Sequence, residues 1–476
     1  MKTSKIQASV LAFLFCFLTI NLEAQTALDN YITGQMKTNN IPGLAACIIK
    51  DGKLAWTKGY GWANLDEKKP VTPNTIFMLA SVSKPFTSAA LMKLYEAGKF
   101  GLDDSINTFL PYKVHHPKFK STPITFRHLL THTSGIRDNW DVMIPNYVNG
   151  DSPIPLGEFL QDYLTPAGKH YDEAKHFSAS APGTKAEYSN IGTALIGYLV
   201  ETISGQPFDQ YSKEKIFTEL CMSHTAWKLA ALDTTNIARP YGYENGAFYD
   251  YGLYGYPDYP DGQLRSSVID VARFMFAHIN NGLYDNKQFL QEATVNEIFT
   301  PQIPAIDSKQ GLIWSKLISG GRTFWFHNGG DFGVGTMMLF DPQKKTGVVI
   351  LTNSEGKYNL ILNRLIQVSD TIGTTKAPAI GCQLQHTALA ENTATLRTTV
   401  YPNPASHNLF LQLHHNTQSP INIRLFSSNG SEIKNIRFHA SHAGTYNTDV
   451  SGLPAGLYIL QISAQGAISN NKVIIE

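Results

Sequence analysis

Residues 76–94 read IFMLASVSKPFTSAALMKL. An apolar run ends in Ser81-Val-Ser-Lys84, and the apolar residues that follow, Pro85 to Leu94, predict a buried helix. At the start of a helix, positions i and i+3 share a face, so the Ser81 hydroxyl and the Lys84 amine lie within reach of each other. Burial disfavours the charged form of a lysine, and a helix N-terminus offers N–H donors. The stretch therefore predicts a nucleophilic Ser81 with Lys84 as its proton partner.

The Ser-x-x-Lys pattern alone is weak, since a chain of this length holds roughly two by chance. It recurs at Ser212/Lys215, Ser431/Lys434 and Ser469/Lys472. Context favours Ser81, because Ser212 lies in a charged stretch typical of a solvated helix face. The alternative for residues 81–84 is a helix N-cap serine followed by a lysine that extends to solvent.

Tyr188-Ser-Asn190 lies where a Pro-Gly loop meets the predicted apolar helix 191–203. A tyrosine whose phenolate is stabilised by a nearby lysine can act as a general base, and an asparagine amide can orient a carbonyl group. The alternative is that Asn190 caps the helix and Tyr188 only packs.

Strand patterns occur at both ends of the first 370 residues, with a mostly helical stretch between them. The predicted helix 26–37 is followed by a hairpin that turns at Asp51-Gly52. The predicted strands are 44–49, 54–60, 323–327, 334–340 and 348–352. This order predicts an α+β domain, in which helices flank one antiparallel sheet and a helical subdomain stands beside it. We expect the site in the groove between the two parts.

Four motifs occur in a characteristic order: Ser81-Val-Ser-Lys84, Leu129-Leu-Thr-His-Thr-Ser-Gly135, Tyr188-Ser-Asn190 and His327-Asn-Gly-Gly330. Together they resemble the serine β-lactamase and D-alanyl-D-alanine peptidase superfamily, in particular its class C-like branch with esterases. The resemblance covers about residues 28 to 368 and implies a β-lactamase/transpeptidase-like fold.

The resemblance also implies roles for the motif residues. Ser81 would be the acylated nucleophile, Lys84 its proton partner and Tyr188 the general base and acid. Asn190 would hold the substrate amide. The oxyanion hole would consist of the backbone N–H groups of Ser81 and Gly330.

The third motif of the family, usually Lys-Thr-Gly or His-x-Gly, falls on His327, Asn328 and Gly329, which are expected to bind substrate. A literal Lys-Thr-Gly at residues 345–347 follows Asp-Pro-Gln-Lys and is predicted to be a hairpin turn. Histidine carries less positive charge than lysine at neutral pH, so peptidase or esterase activity gains weight over β-lactam recognition. Affinity for free carboxylates is expected to rise as the pH falls toward about 6.

His128 and His132 are four residues apart but lack the Glu of a zinc-binding HExxH motif. The sequence favours a structural role for them, in a helix that ends through Gly135. No metal and no cofactor are predicted. The aromatic stretch 249–259 is predicted either to pack at the groove rim and shape substrate choice or to form a solvent-facing loop.

The composition changes near residue 370. Residues 370–399 are rich in Thr and Ala and predict a linker between the hydrolase domain (25–369) and a C-terminal domain (400–476). The tail alternates apolar and polar residues between turn clusters, which predicts a small β-sandwich. With Tyr401-Pro-Asn-Pro404 and Asp449-Val-Ser-Gly-Leu-Pro-Ala-Gly-Leu-Tyr458, the tail resembles a type IX secretion sorting domain, which implies contact with that machinery. The alternative is a carbohydrate- or partner-binding sandwich.

The N-terminus predicts export. Residues 1–24 combine Lys2 and Lys5 with a short apolar run and a small-residue cleavage site, as in a signal peptide. Cys47, Cys221 and Cys382 then remain, an odd number from which we expect no stabilising disulfide, with Cys47 and Cys221 as buried thiols.

The 39 Lys and Arg residues balance 38 Asp and Glu, so no nucleic-acid partner is predicted. The whole chain is predicted to be a secreted or cell-surface serine hydrolase, exported through the periplasm, that acts on D-amino-acid peptides, β-lactams or small esters. The alternative is a catalytically silent penicillin-binding or sensor protein on the same scaffold.

Overall fold

The computed structural model describes residues 26–375, 377–382, 398–413, 421–427, 432–438, 445–464 and 467–476. The predicted signal peptide, residues 1–24, lies outside this part of the chain. The chain divides into two compact units, residues 1–386 and 387–476.

The first unit is built on a seven-stranded antiparallel sheet with the strand order β4-β5-β6-β7-β1-β2-β3. The strands are β1 (Gly43–Lys50), β2 (Lys53–Asn64), β3 (Lys69–Pro70), β4 (Ser315–Ser319), β5 (Arg322–Asp331), β6 (Val334–Asp341) and β7 (Thr346–Thr352). The sheet joins strands from both ends of the unit, which confirms the predicted α+β class. The sequence did not predict β3 and β4.

Both faces of the sheet are buried, because alternate side chains of a strand point to opposite faces. In β1, Ala46 and Ile48 pack in one cluster with the N- and C-terminal helices of the unit, whereas Ala45, Cys47 and Ile49 belong to the main core on the other face. The sheet is thus a central layer between helices.

The helices are α1 (residues 26–38), α2 (Lys84–Glu96), α3 (Phe126–Leu130), α4 (Trp140–Met143), α5 (Leu156–Leu164), α6 (Glu173–His176), α7 (Asn190–Ser204), α8 (Phe208–Ser212), α9 (Val268–Ile279), α10 (Glu292–Ile298) and α11 (Asn359–Thr371). Short 3-10 helices span Ala80–Ser83, Ile106–Thr108, Ile144–Asn146, Leu229–Ala231, Thr234–Asn236 and Tyr259–Asp261, and a π-helix spans Lys213–Phe217. Short strand pairs join Ile76–Met78 to Arg265–Ser267, Val148–Asn149 to Tyr254–Gly255, Tyr241–Glu244 to Ala247–Asp250 and Leu283–Tyr284 to Lys287–Gln288. Most of these elements lie between β3 and β4 in the chain, as predicted.

The cysteine prediction was wrong. Cys221 and Cys382, 161 residues apart, form a disulfide with a Cα–Cα distance of 5.4 Å, while Cys47 is the buried free thiol that was expected. Part of the predicted linker is also packed on the body. The amide of Leu54 donates to the carbonyl of Pro378, and the amide of Ile380 donates to that of Gly52.

The second unit contains two sheets, with strand orders β8-β9-β12 and β11-β10-β13-β14. Their strands are β8 (Thr398–Tyr401), β9 (Asn408–Leu413), β10 (Ile421–Ser427), β11 (Glu432–Phe438), β12 (Thr445–Asp449), β13 (Gly456–Ala464) and β14 (Ala467–Ile475). One apolar core joins the two sheets and includes Leu409, Leu411, Leu460 and Ile462. The alternation in the sequence therefore places these side chains inside, as predicted.

Candidate active site

Ser81 lies on the 3-10 turn Ala80–Ser83, directly before α2. Ala80 has a φ of 46°, a left-handed conformation that a residue with a Cβ rarely adopts. The Lys84 Nζ lies 3.1 Å from the Ser81 Oγ, and Lys84 is fully buried. The alternative of a lysine that extends to solvent is therefore wrong, and Ser81 makes no capping hydrogen bond.

The Lys84 ammonium is surrounded by acceptors. It donates to the Asn190 Oδ1 at 2.6 Å and to the Asp261 carbonyl at 2.6 Å, and it lies 5.1 Å from the centre of the Tyr188 ring. Burial lowers the pKa of Lys84, but Tyr188, Asp261 and Asp138 outweigh that effect, and the net pKa is raised. The expectation that desolvation neutralises Lys84 was therefore wrong, because the negative groups that offset burial come from distant parts of the chain.

Tyr188 and Asn190 stand at the start of α7. Ser189 caps this helix, since its side chain accepts from the Gly192 amide at 2.8 Å, so the alternative of Asn190 as the cap is wrong. The Asn190 Nδ2 donates to Asp138 at 2.9 Å, which leaves its Oδ1 directed at Lys84. Tyr188 is half exposed, with its ring centre 4.5 Å from that of His132.

His327 lies on β5 with its ring centre 6.4 Å from that of Tyr188. Its Nδ1 is hydrogen-bonded to the Asn328 carbonyl at 2.8 Å, an arrangement that assigns the proton to Nδ1. Burial, reinforced by the Lys84 charge, lowers the pKa of His327 to about 3. The imidazole is thus neutral near pH 6, and the expected rise in carboxylate affinity toward that pH has no basis in the free enzyme.

Gly329 and Gly330 bring β5 close to Ser81. A Cβ on Gly329 would lie 3.0 Å from the Ser81 amide nitrogen and would overlap the Leu79 carbonyl, so only glycine lets the strand approach the turn this closely. A Cβ on Gly330 would meet nothing within 4 Å. Thr336 on β6 anchors the same turn, since its hydroxyl donates to the Leu79 carbonyl at 2.6 Å.

Two competing motifs lie elsewhere. Residues 345–347 span the turn between β6 and the start of β7, as predicted, and Lys345 has a φ of 48°. Ser212 ends α8, and Lys215 pairs with the exposed Glu214 at 2.6 Å rather than with the Ser212 hydroxyl.

Sequence reasoning missed several residues around Lys84 and Tyr188. The sequence favoured a structural His132 in a helix ending at Gly135, but α3 ends at Leu130 and His132 packs against Tyr188. Burial and the charge of Lys84 lower the pKa of His132 to about 3. Asp138 accepts from the backbone amides of Asn190 and Ile191, which fixes the start of α7.

Ser81, Tyr188, Asn190 and Gly330 border a cavity of about 560 Å³, whereas Lys84, His132 and His327 are not among the residues that line it. It is lined by Ala80, Ser81, Arg137, Asp138, Trp140, Tyr147, Glu187, Tyr188, Asn190, Tyr256, Asp261, Gly262, Gly330 and Asp331. The stretch 249–259 contributes Tyr256, which is buried, while Tyr249 is exposed, so both expectations for this stretch hold in part. No group of three or more His, Cys, Asp or Glu residues in the described ranges is arranged to hold a metal ion.

The fold and motifs define a hydrolase fold of the β-lactamase type, and the chain belongs to the Beta-lactamase family, whose profile matches residues 28–370. Residues 399–476 match the secretion system C-terminal sorting domain. This domain indicates a protein exported by the type IX system to the cell surface or the medium. In the described part of the chain, no helix has the length and apolarity needed to cross a bilayer.

Curated relatives are identical to this chain at about a quarter of the aligned positions. "Protein flp" of Staphylococcus aureus is 24% identical over 340 residues, which cover 71% of this chain and 64% of that protein. This chain therefore spans less than two thirds of the length of flp. A beta-lactamase of Yersinia enterocolitica is 27% identical over 366 residues, covering 70% of this chain and 87% of that protein.

Solved structures share the fold. The octameric penicillin-binding protein homologue of Pyrococcus abyssi has a TM-score of 0.59 at 21% identity and covers 95% of this chain and 96% of its own. The D-amino acid amidase of Ochrobactrum anthropi, solved with L-phenylalanine amide, has a TM-score of 0.57 at 21% identity and covers 72% and 97%. At this identity the likeness establishes architecture alone.

Proposed function

We propose that this protein is an exported serine hydrolase that forms an acyl-enzyme at Ser81 and hydrolyses amide or ester bonds. The observation that carries the proposal is the 3.1 Å contact between the Ser81 Oγ and the Lys84 Nζ at the edge of a cavity bordered by Tyr188 and Gly330. A hydroxyl beside a fixed cation and a phenol is one arrangement that can activate a serine for nucleophilic acyl transfer.

The charge on Lys84 decides the proton path. An ammonium cannot accept a proton, so in the proposed mechanism Tyr188, as the phenolate, takes the Ser81 proton while Lys84 stabilises the negative charge. The Ser81 Oγ attacks the carbonyl carbon, and the N–H groups of Ser81 and Gly330 stabilise the oxyanion. Tyr188 then gives its proton to the leaving group, whose bond to the carbonyl carbon breaks.

Deacylation repeats these steps with water in place of the serine. Tyr188 removes a proton from the water as it attacks the ester carbon, and the Ser81 oxygen recovers a proton as the acid leaves. Asn190 has its Nδ2 committed to Asp138 and its Oδ1 to Lys84, so its first effect is to position the lysine. In the proposed complex Asn190 contacts the substrate from the start of α7, and His327, Asn328 and Gly329 contact it along β5.

The substrate class is proposed as a D-amino-acid peptide, a β-lactam or a small ester. The neutral His327 supplies no cation for a free carboxylate at its position on β5. Relatives are a beta-lactamase and, in fold, an amidase.

The decisive experiment is covalent labelling with a fluorophosphonate and a fluorescent penicillin. Wild-type protein should be labelled on Ser81, identified by mass spectrometry, and Ser81→Ala should not. Ser212→Ala is the matched control, because Ser212 also belongs to a Ser-x-x-Lys pattern and makes no hydrogen bond through its hydroxyl. Label retained by Ser81→Ala would reject the nucleophile, and no label in any variant would favour the silent penicillin-binding or sensor alternative.

A further inference from the structure

One wall of the cavity joins a carboxylate to aromatic rings. Asp331 is the last residue of β5 and follows Gly330 directly, so its Cα lies about 3.8 Å from that of the proposed oxyanion donor. Tyr147 and Tyr256, both in the lining, are stacked with their ring centres 4.6 Å apart. The wall thus places a negative group and π-faces next to the expected position of the scissile carbonyl.

The Asp331 carboxylate retains capacity to bind a ligand. Its Oδ1 accepts from the Phe332 amide at 2.8 Å, while its Oδ2 lies 3.4 Å from the Tyr256 hydroxyl and near the Tyr254 hydroxyl, which itself donates to the Phe332 carbonyl at 2.8 Å. Burial raises the pKa of Asp331 to about 6, which still leaves it ionised at neutral pH. The Tyr147 hydroxyl makes no hydrogen bond to any other described residue, so a second polar group on this wall is available.

The other charged groups of the lining are engaged. Asp138 holds the start of α7, and Glu187 pairs with Lys185 at 2.8 Å. Burial and the neighbouring Asp258 raise the pKa of Asp261 well above its usual range, which disfavours its charged form. Arg137 is exposed and lies near enough to Glu187 to lower the pKa of that carboxyl. Asp331 is therefore the carboxylate of the lining best placed to receive a new positive charge.

We propose that Asp331, with the rings of Tyr147 and Tyr256, determines specificity for substrates that carry a free amino group beside the scissile carbonyl. Charge-assisted hydrogen bonds and cation–π contacts are the interactions that bind an ammonium group. The substrate class is thus an amino-acyl amide or ester with an unblocked amine. This inference rests on the proposed function and specifies the substrate of the same site.

The test compares substrates that differ only in the amine. Wild-type protein should prefer the substrate with the free amine. The substrates to compare are alanine p-nitroanilide and N-acetylalanine p-nitroanilide, each in the D and L forms, and the matching methyl esters. Asp331→Asn should lower kcat/KM for the free-amine member roughly tenfold or more and leave the acetylated member within about threefold, because a hydrogen bond to a charged group is lost only for the former. Asp331→Glu should restore much of the preference.

Asp250→Asn is the matched control, since it removes one negative charge from an exposed hairpin where Asp250 pairs with Arg239. An unchanged ratio in Asp331→Asn, or a wild-type preference for acetylated or succinylated substrates, would overturn the inference. A binding readout separates this failure from failure of the proposed function. Ser81→Ala titrated with phenylalaninamide, followed by the fluorescence of Trp140 in the lining, should bind it more tightly than N-acetylphenylalaninamide, and equal affinity would reject the subsite even if no turnover were found.

Discussion

The Gly329→Ala substitution should disable the active site, although Gly329 contributes no side-chain chemistry to the reaction. The added methyl carbon would lie 3.0 Å from the Ser81 amide nitrogen and would overlap both the Leu79 carbonyl and the Thr336 hydroxyl. Ordinary contacts of this kind are about 3.5–4.0 Å, so β5 or the turn that carries Leu79 and Ser81 must move by about 1 Å or more. Either movement changes the position of the proposed nucleophile relative to the oxyanion donors.

Misplacement of reacting groups by about 1 Å costs about 100-fold in rate, so we expect a decrease of that order in kcat/KM for Gly329→Ala. Overpacking should lower the free energy of unfolding by about 1–3 kcal/mol, which leaves a folded protein to assay. Gly34→Ala is the internal control. Gly34 is exposed on α1 and an added methyl group would meet no protein atom within 4 Å, so activity within about threefold of wild type is expected.

The assay is the rate of fluorophosphonate labelling together with hydrolysis of a nitrophenyl ester, with thermal unfolding measured on the same samples. A Gly329→Ala variant that keeps its labelling rate within about threefold would refute the argument that this strand and the turn are in fixed contact. Equal losses in Gly329→Ala and Gly34→Ala would refute the steric reason, because only the first methyl group meets the turn.

Two further predictions concern stability. Cys382→Ser should lower the free energy of unfolding by about 2–4 kcal/mol through loss of the Cys221–Cys382 disulfide and should abolish the effect of reductant on the denaturation midpoint. Detection of three free thiols in the unreduced mature protein would contradict it. Burial lowers the pKa of His278 to about 4. As the pH falls below about 6.5, the unfolded state therefore takes up a proton before the folded state does. His278 by itself should lower the free energy of unfolding by about 2 kcal/mol between pH 7 and pH 5. Urea denaturation at pH 7 and pH 5 should show that the free energy of unfolding falls by about 2 kcal/mol less in His278→Phe than in wild type. An identical fall in the variant would exclude His278 as the source of this pH dependence.

The parts of the fold that the sequence predicted are those with local signals. The turn at Asp51-Gly52 and the apolar runs beside it identify β1 and β2, and both residues have positive φ. Strand β4 escaped prediction because Ser315–Ser319 lies at the edge of the sheet with its last three side chains exposed, so no apolar alternation marks it. The Cys221–Cys382 bond joins residues 161 apart, and their separation in space has no signature in the spacing of cysteines.

In the candidate site, too, the residues with a local sequence signal were predicted and those without one were missed. Ser81, Lys84, Tyr188 and Asn190 belong to short motifs beside predicted helices, and the structure brings them together. Asp138 stands in a loop, and its contact with Asn190 spans 52 residues. Its only local signal is its position three residues after the Leu129–Gly135 motif, which does not reveal what the carboxylate holds.

The charge of Lys84 illustrates why sequence reasoning can identify a residue and misjudge its chemistry. The apolar residues around it correctly indicate burial, and burial alone favours the neutral amine. The groups that reverse this preference, Tyr188, Asp261 and Asp138, approach from segments 50 or more residues away. With Lys84 charged and His327 neutral, the fixed positive charge lies beneath the cavity at the proposed nucleophile, while Asp331 on the wall is negative. The positive charge of Lys84 stabilises a phenolate and an oxyanion beside Ser81, and the negative charge of Asp331 favours a cationic group farther along β5. The same charge distribution thus supports both the proposed proton path and the proposed amine specificity.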